Sequence, residues 1–241
     1  MSSPSESKGL GIILGLSLII SAAVFGLFYY SAQTAASKDI LSVTGSAKIR
    51  VTSDQAKLII SINRIIPVST LSEGYAGVDH DLVLVRGLLK REGMGEKDFV
   101  ESPVSMQQQY DNNGQETRYQ LNQTVTVSSD DVNKLTGISK KIPPLAAQGA
   151  IVAVQSLEYY YSKLPDLRVS LLSDAVKDAQ ARAGKIAEAT GRSVGAIQSA
   201  SNGVVQVLPI NSVDISDYGS YDTSSIDKEV MVTLKASFGL K

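Results

Sequence analysis

The chain has 241 residues, 20% of them charged and 43% hydrophobic, which allows one large domain or two small ones and is unlike a disordered or collagen-like sequence. Its 23 Lys+Arg stand against 24 Asp+Glu for a net charge of -1, so no broad basic field exists to hold nucleic acid by counterion release. Cysteine is absent and His80 is the single histidine, which excludes disulfides, thiolate nucleophiles, Cys-ligated zinc, iron–sulfur clusters and His-rich metal sites.

Residues 9–30 form an uncharged run of 22 residues, GLGIILGLSLIISAAVFGLFYY. As a helix it would span roughly 33 Å, about the hydrocarbon thickness of a bilayer. The run is therefore read as a transmembrane signal anchor. Leu10, Ile12, Ile13, Leu14, Leu16, Leu18, Ile19, Ile20, Val24, Phe25, Leu27 and Phe28 would meet lipid, and Tyr29 and Tyr30 would lie at the interface. The rival is a cleaved signal peptide, with Thr34-Ala35-Ala36 as its small-residue site. The run is longer than a signal peptide needs, and Met1–Lys8 is less basic than such a leader. The expected layout is a short cytoplasmic N-terminus at 1–8, the anchor at 9–30, a linker at 31–40 and an exported domain at 41–241.

In the exported part, Ser42 to Val51 alternates, with Val43, Ala47, Ile49 and Val51 on one face, as in a half-buried strand. Ser53-Asp54 reads as a turn into a second strand, Ala56 to Ile66, and the two together as a hairpin. Thr70-Leu71-Ser72-Glu73 has capping-box spacing ahead of a helix whose stripe is Val78, Leu82, Val85 and Leu89. Gly93 would stop it. Strands near 104–110 and 119–127 flank Asp111-Asn112-Asn113-Gly114, a hairpin signal. Ser128-Ser129-Asp130-Asp131 precedes a helix with Val132, Leu135 and Ile138 inside, ended by Pro143-Pro144.

Residues 151–161 read as a long strand. The longest helix should begin near Pro165-Asp166, end at Gly191 and bury Leu172, Ala175, Val176, Ala179, Ala183, Ile186 and Ala187, with Asp178 and Arg182 on its wet side. Strands at 204–208 and 229–238 finish the chain. The order ββ-α-ββ-α-β-α-ββ implies an α+β class, antiparallel-rich with hairpins and segregated helices, after one transmembrane helix.

These elements, in this order, resemble the SIMPL domain family. Ser42-Val43-Thr44-Gly45-Ser46-Ala47 looks like the family's opening strand, and Thr52-Ser53-Asp54-Gln55-Ala56 like the turn that follows it. Leu88 to Asp98 is similar to its helix end and step into a strand, and Tyr119 to Val127 to its aromatic-led strand. The Ala-rich stretch from Asp174 to Gly191, with Ala179-Gln180-Ala181-Arg182-Ala183, is the clearest match. The resemblance implies a periplasmic or surface-exposed bacterial protein. Members include a periplasmic immunogenic protein that builds ring-like, channel-like oligomers, and some are linked to oxidative stress. No reaction or catalytic residues are established for the family. Two departures stand out: many members carry a cleaved signal peptide, and Gln107-Gln108-Gln109 stands where the family often has a proline before its tyrosine.

Asp79-His80-Asp81 cannot close on one ion from adjacent helix positions and reads as a solvated helix side. Tyr159, Tyr160 and Tyr161 put rings on both faces of a strand, for packing or a subunit contact. The stretch 209–228 is long for a loop and mixes Ile210, Val213, Ile215, Tyr218, Tyr221 and Ile226 with four aspartates. With Tyr159 and Tyr161, these six are the expected oligomer contacts.

The expected function is a non-enzymatic, envelope-anchored scaffold. It would sit in a bacterial cytoplasmic membrane through the N-terminal helix, N-terminus inside, and assemble outside as a ring or cage of its own copies. No cofactor, metal or catalytic residue is expected. A binding module for an envelope protein or glycan, or an uncharacterised hydrolase, are the alternatives.

Overall fold

Alternation dictates most of the strands and a four-residue apolar repeat most of the helices. The computed structural model describes residues 15–30, 40–212, 216 and 218–241. Within them the chain forms helix α1 (15–30), β1 (Ile40–Thr52), β2 (Gln55–Pro67), α2 (Leu71–Arg91), β3 (Phe99–Glu101), β4 (Ser105–Tyr110) and β5 (Glu116–Ser129). It continues through α3 (Val132–Lys141), β6 (Val152–Tyr160), α4 (Leu164–Ala189), β7 (Val194–Pro209), β8 (Ser220–Tyr221) and β9 (Asp227–Leu240). The class is α+β, as expected. One sheet has the order β1-β9-β7-β8, and the other β3-β5-β2-β6 with β4 also on β5.

Two compact units emerge. The larger comprises Ala47–Ser173 and Val204–Val232. Its core lies under the second sheet, where β2 pairs antiparallel with β5 (Leu58 opposite Val127, Ile60 opposite Val125) and with β6. Leu58, Ile60, Ile62, Leu121 and Val125 are fully buried, and Val78, Val85 and Leu89 of α2 and Leu135 and Ile138 of α3 are buried with them. The predicted stripes of both helices are the ones that face this core. Asp131 caps α3, its carboxylate accepting from Lys134 N at 2.9 Å. The Asn-Gly loop closes β4 on β5: Asp111 Oδ1 accepts from Asn113 N and Gln115 N, and Gly114 takes the left-handed φ of +77°. A second apolar cluster of this unit joins Leu164 and Leu171 at the start of α4 to Val207, Val230 and Val232.

The smaller unit takes the described residues of Met1–Ser46, with Asp174–Gly203 and Thr233–Lys241. Ala175, Ala179, Ala183 and Ala187 of α4 are buried at steps of four, and Leu234, Ala236 and Phe238 of β9 at steps of two. Small side chains let backbones approach. A Cβ built at Gly45 would lie 2.6 Å from Ala179 N and 2.7 Å from its Cβ, and would strike the Ala175 carbonyl oxygen. Asp178 fastens the same place, its carboxylate accepting from Ser46 N and from Arg182 Nε, both at 2.8 Å. The bond from Ser46 leads in holding Asp178 below the usual carboxylate range. Gly45→Ala should therefore cost about 1–3 kcal/mol, the usual range for overpacking, as read from urea midpoints of the full chain in mild detergent.

Five expectations are corrected. β1 and β2 are no hairpin but enter different sheets. Ser53-Asp54 lacks the glycine or asparagine of a tight hairpin turn, and its backbone is taken by distant partners: Ser53 N donates to Ile226 O (2.9 Å) and Asp54 N to Tyr160 O (3.0 Å). The Asp54 carboxylate then accepts from the amide and hydroxyl of Ser162, both at 2.7 Å. Thr70 sits at the N-cap of α2 without a capping bond to the helix, because its hydroxyl donates back to Pro67 O at 3.2 Å. Ile49 and Ile186 are exposed, since the buried runs beside them already end on β1 and narrow to alanines on α4. β3 has no counterpart in the sequence pattern, being only three residues long. β7 begins ten residues before its predicted start, through a polar stretch that sequence patterning leaves as loop.

Candidate functional site

The helix 15–30 supplies ten of the expected anchor residues. Leu16, Leu18, Ile19, Ile20, Val24, Phe25, Leu27, Phe28, Tyr29 and Tyr30 are all more than half exposed, from 53% for Val24 to 76% for Phe28. The hydroxyl of Ser21 donates to Ser17 O at 2.7 Å, so this polar group is satisfied within the helix. The 16 described residues rise roughly 24 Å. No helix among the described residues is long and apolar enough to cross a membrane. Leu10, Ile12, Ile13 and Leu14, with the rest of 1–14 and the linker 31–39, lie outside the described residues.

The described end of the stretch 209–228, from residue 222 on, is organised around a lysine. Lys228 is fully buried, and its Nζ donates to Asp222 O at 2.6 Å and Ser225 O at 2.5 Å, with the Asp222 carboxylate 3.6 Å away. Burial pushes the Lys228 ammonium below its ordinary value, partly countered by Asp222. Burial also opposes the charge of Asp222, but bonds from Ser224 and Ser225 and the nearby ammonium outweigh it and hold that carboxyl at about 2. The hydroxyls of Ser224 and Ser225 both donate to it. Upstream, Gln206 Nε2 donates to Ser216 O at 2.5 Å, and Asp222 N donates to Val207 O at 2.8 Å. The result is a closed polar knot whose donors face carbonyls and a carboxylate.

The second half of the stretch docks on its own unit. Tyr159 N donates to Thr223 O (2.8 Å) and Tyr161 N to the Tyr221 hydroxyl (3.3 Å), so the loop covers part of the β6 edge. The rings of Tyr160 and Tyr221 lie 6.0 Å apart. Tyr160 donates to Glu158 Oε2 at 2.5 Å, which leads in pushing its hydroxyl up to about 12. Among the expected contacts, Tyr159 is only 7% exposed and bonds the Thr136 hydroxyl of α3 at 2.9 Å, so its ring belongs to the unit's own core. Ile226 packs half-buried against that core, Tyr161 and Ile210 are half-buried, and Tyr221 is partly exposed. Tyr218 is 96% exposed. Val213 and Ile215 lie outside the described residues.

Asp81 departs most from its expected place. It is completely buried, while His80 beside it is exposed. Arg64 of β2 grips it with two bonds of 2.8 Å, and Asp81 leads in holding the guanidinium above its ordinary value. Gly77 makes the room: a Cβ there would sit 2.9 Å from the Arg64 guanidinium. Among the described residues no three His, Asp or Glu side chains gather as metal ligands would. A shallow groove of about 580 Å³ beside β3 is lined by Arg86, Lys90, Glu96, Phe99, Val100 and Glu101. Its charges pair internally, Arg86 with Glu101 and Lys90 with Glu96, and Arg86 holds the Glu101 carboxyl below its usual range.

Residues 41–237 match the family described as SIMPL, protein of unknown function (DUF541). No curated protein matches the chain.

Proposed function

Taking as premise that this chain belongs to the SIMPL family, we propose that it is a membrane-anchored envelope scaffold whose SIMPL domain assembles with copies of itself into a ring or cage outside a bacterial cytoplasmic membrane. The observation that carries the reading is the helix 15–30. Its ten large apolar side chains are exposed on every side, and such a surface is stable in lipid and costly in water. The uncharged run continues upstream to residue 9, which brings the segment to bilayer length. The Lys228 knot and the Arg64–Asp81 pair spend their charges on partners within the domain, which supports a structural rather than a catalytic role for these two clusters. Tethering copies in one membrane raises their effective concentration and favours weak lateral contacts.

Cell fractionation followed by mass photometry in mild detergent tests both parts. The full chain should stay with membranes through a high-salt wash, and its detergent particles should form one discrete multiple of the chain mass. A chain beginning at Ser37 should leave the membrane fraction. Release of the full chain in salt would overturn the anchor. Single-chain particles would overturn the assembly and favour a binding module.

A further inference from the structure

We propose that the outer edge of β7 pairs antiparallel with the β7 of a second copy about a two-fold axis at Ser199, a proposal that rests on the self-assembly reading above. In the first sheet β7 lies between β9 and β8, but β8 takes only Gln206 and Val207. Among the described residues, no strand pairs with the outer edge of β7 from Val194 to Gly203. The side chains there are also open to solvent, every residue from Ala196 to Val204 being exposed. A long bare edge usually carries charges, a proline or a bulge against unwanted pairing. β7 has no charged residue in all 16 positions, and its single proline is the last of them. By contrast β1, at the opposite margin of the same sheet, carries Lys48 and Arg50.

The exposed stretch of β7 repeats Val and Gly at its two ends about Ser199. Folding the strand back on itself there sets Val194 opposite Val204 and Gly195 opposite Gly203, with the small or uncharged pairs Ala196–Asn202, Ile197–Ser201 and Gln198–Ala200 between them. The glycines have a shared cause. A Cβ at Gly195 would lie 2.9 Å from Gly239 O, and one at Gly203 would strike the Thr233 hydroxyl, so β7 hugs β9 at both ends of the exposed stretch. A self-pair must place like against like near its axis, so charges would oppose it, and none is present. An isologous two-fold contact is the commonest way for copies of one chain to meet.

The chain has no cysteine, so introduced thiols report the contact without background. Opposed residues in antiparallel strands lie about 4.5 or 5.5 Å apart between Cα atoms, alternating, and both distances suit a disulfide. Full-length Ser199→Cys in mild detergent, oxidised gently, should convert most chains to a reducible dimer. A mixture of Gln198→Cys and Ala200→Cys chains samples the other spacing and should cross-link between the two variants. Ile197→Cys alone should not, because in this register its copies stand roughly 13 Å apart. Ser199→Lys sets two ammonium groups face to face and should lower the particle mass seen by mass photometry. Assembled particles that never cross-link at 198–200 and keep their mass in Ser199→Lys would overturn the β7 contact and leave assembly standing. Equal cross-linking of Ile197→Cys would overturn the register. Monomeric wild-type particles would overturn both.

Discussion

Asp81→Ala is expected to lower stability by about 3–5 kcal/mol, the cost of breaking a buried ion pair from one side. The loss arises because Arg64, only 20% exposed, would keep its charge with little beyond Gly149 O at 3.5 Å to receive it. Both side chains face the same core as Ile62, Leu82 and Leu121, so water cannot readily take the place of the carboxylate. Replacing both partners by leucine should cost much less, since apolar groups of similar volume need no counter-charge there. Urea denaturation of the wild type, the single variants and the double variant gives the coupling directly. A loss below about 1 kcal/mol for Asp81→Ala would show that the pair contributes nothing to holding α2 on β2.

Lys228→Ala should cost a similar amount, about 3–5 kcal/mol, for the opposite reason. It removes the cation and leaves two inward carbonyls, those of Asp222 and Ser225, and a nearly buried carboxylate without it. Lys228→Met keeps the packing of the stem and should recover part of the loss. The acid behaviour follows from Asp222. Its folded pKa of about 2 lies below its ordinary 3.8, so the folded state binds fewer protons, and the stabilisation is complete above pH 4. It is lost as pH falls from about 4 to 2 and amounts to roughly 2 kcal/mol. The depressed Lys228 pKa acts at the other end, where stability is gained as rising pH removes the proton that burial disfavours. Asp222→Asn should flatten the acid limb of a stability–pH curve, and an unchanged limb would remove Asp222 as its source.

Much of this fold was legible because a core face repeats. β9 shows it best: Val230, Val232, Leu234, Ala236 and Phe238 alternate in the sequence and are all buried in the structure. The same alternation on β2 runs Leu58, Ile60, Ile62 and then Arg64, so the inward arginine was written in the pattern. Asp81, three residues after Val78 and four before Val85, likewise shares the buried stripe of α2. The adjacency of Asp79, His80 and Asp81 masks this, because consecutive residues point to different faces of a helix, whereas the helical repeat places Asp81 inside opposite a strand arginine. Lys228 was legible in the same way, two residues before Val230 on the buried face of β9.

The sequence by itself determined the apolar N-terminal run, the α+β order, the core stripes and the Asn-Gly hairpin, because each depends on neighbours within a few residues. Only the tertiary structure decided that β1 and β2 part at Ser53, that residues 221–225 fold back onto Tyr159 and Lys228, and that polar residues 194–203 are a strand. Those outcomes depend on partners far along the chain: Ile226 for Ser53, Thr223 for Tyr159, and β9 for β7. A backbone hydrogen bond is indifferent to side-chain type, so its distant partner leaves no mark in a local pattern.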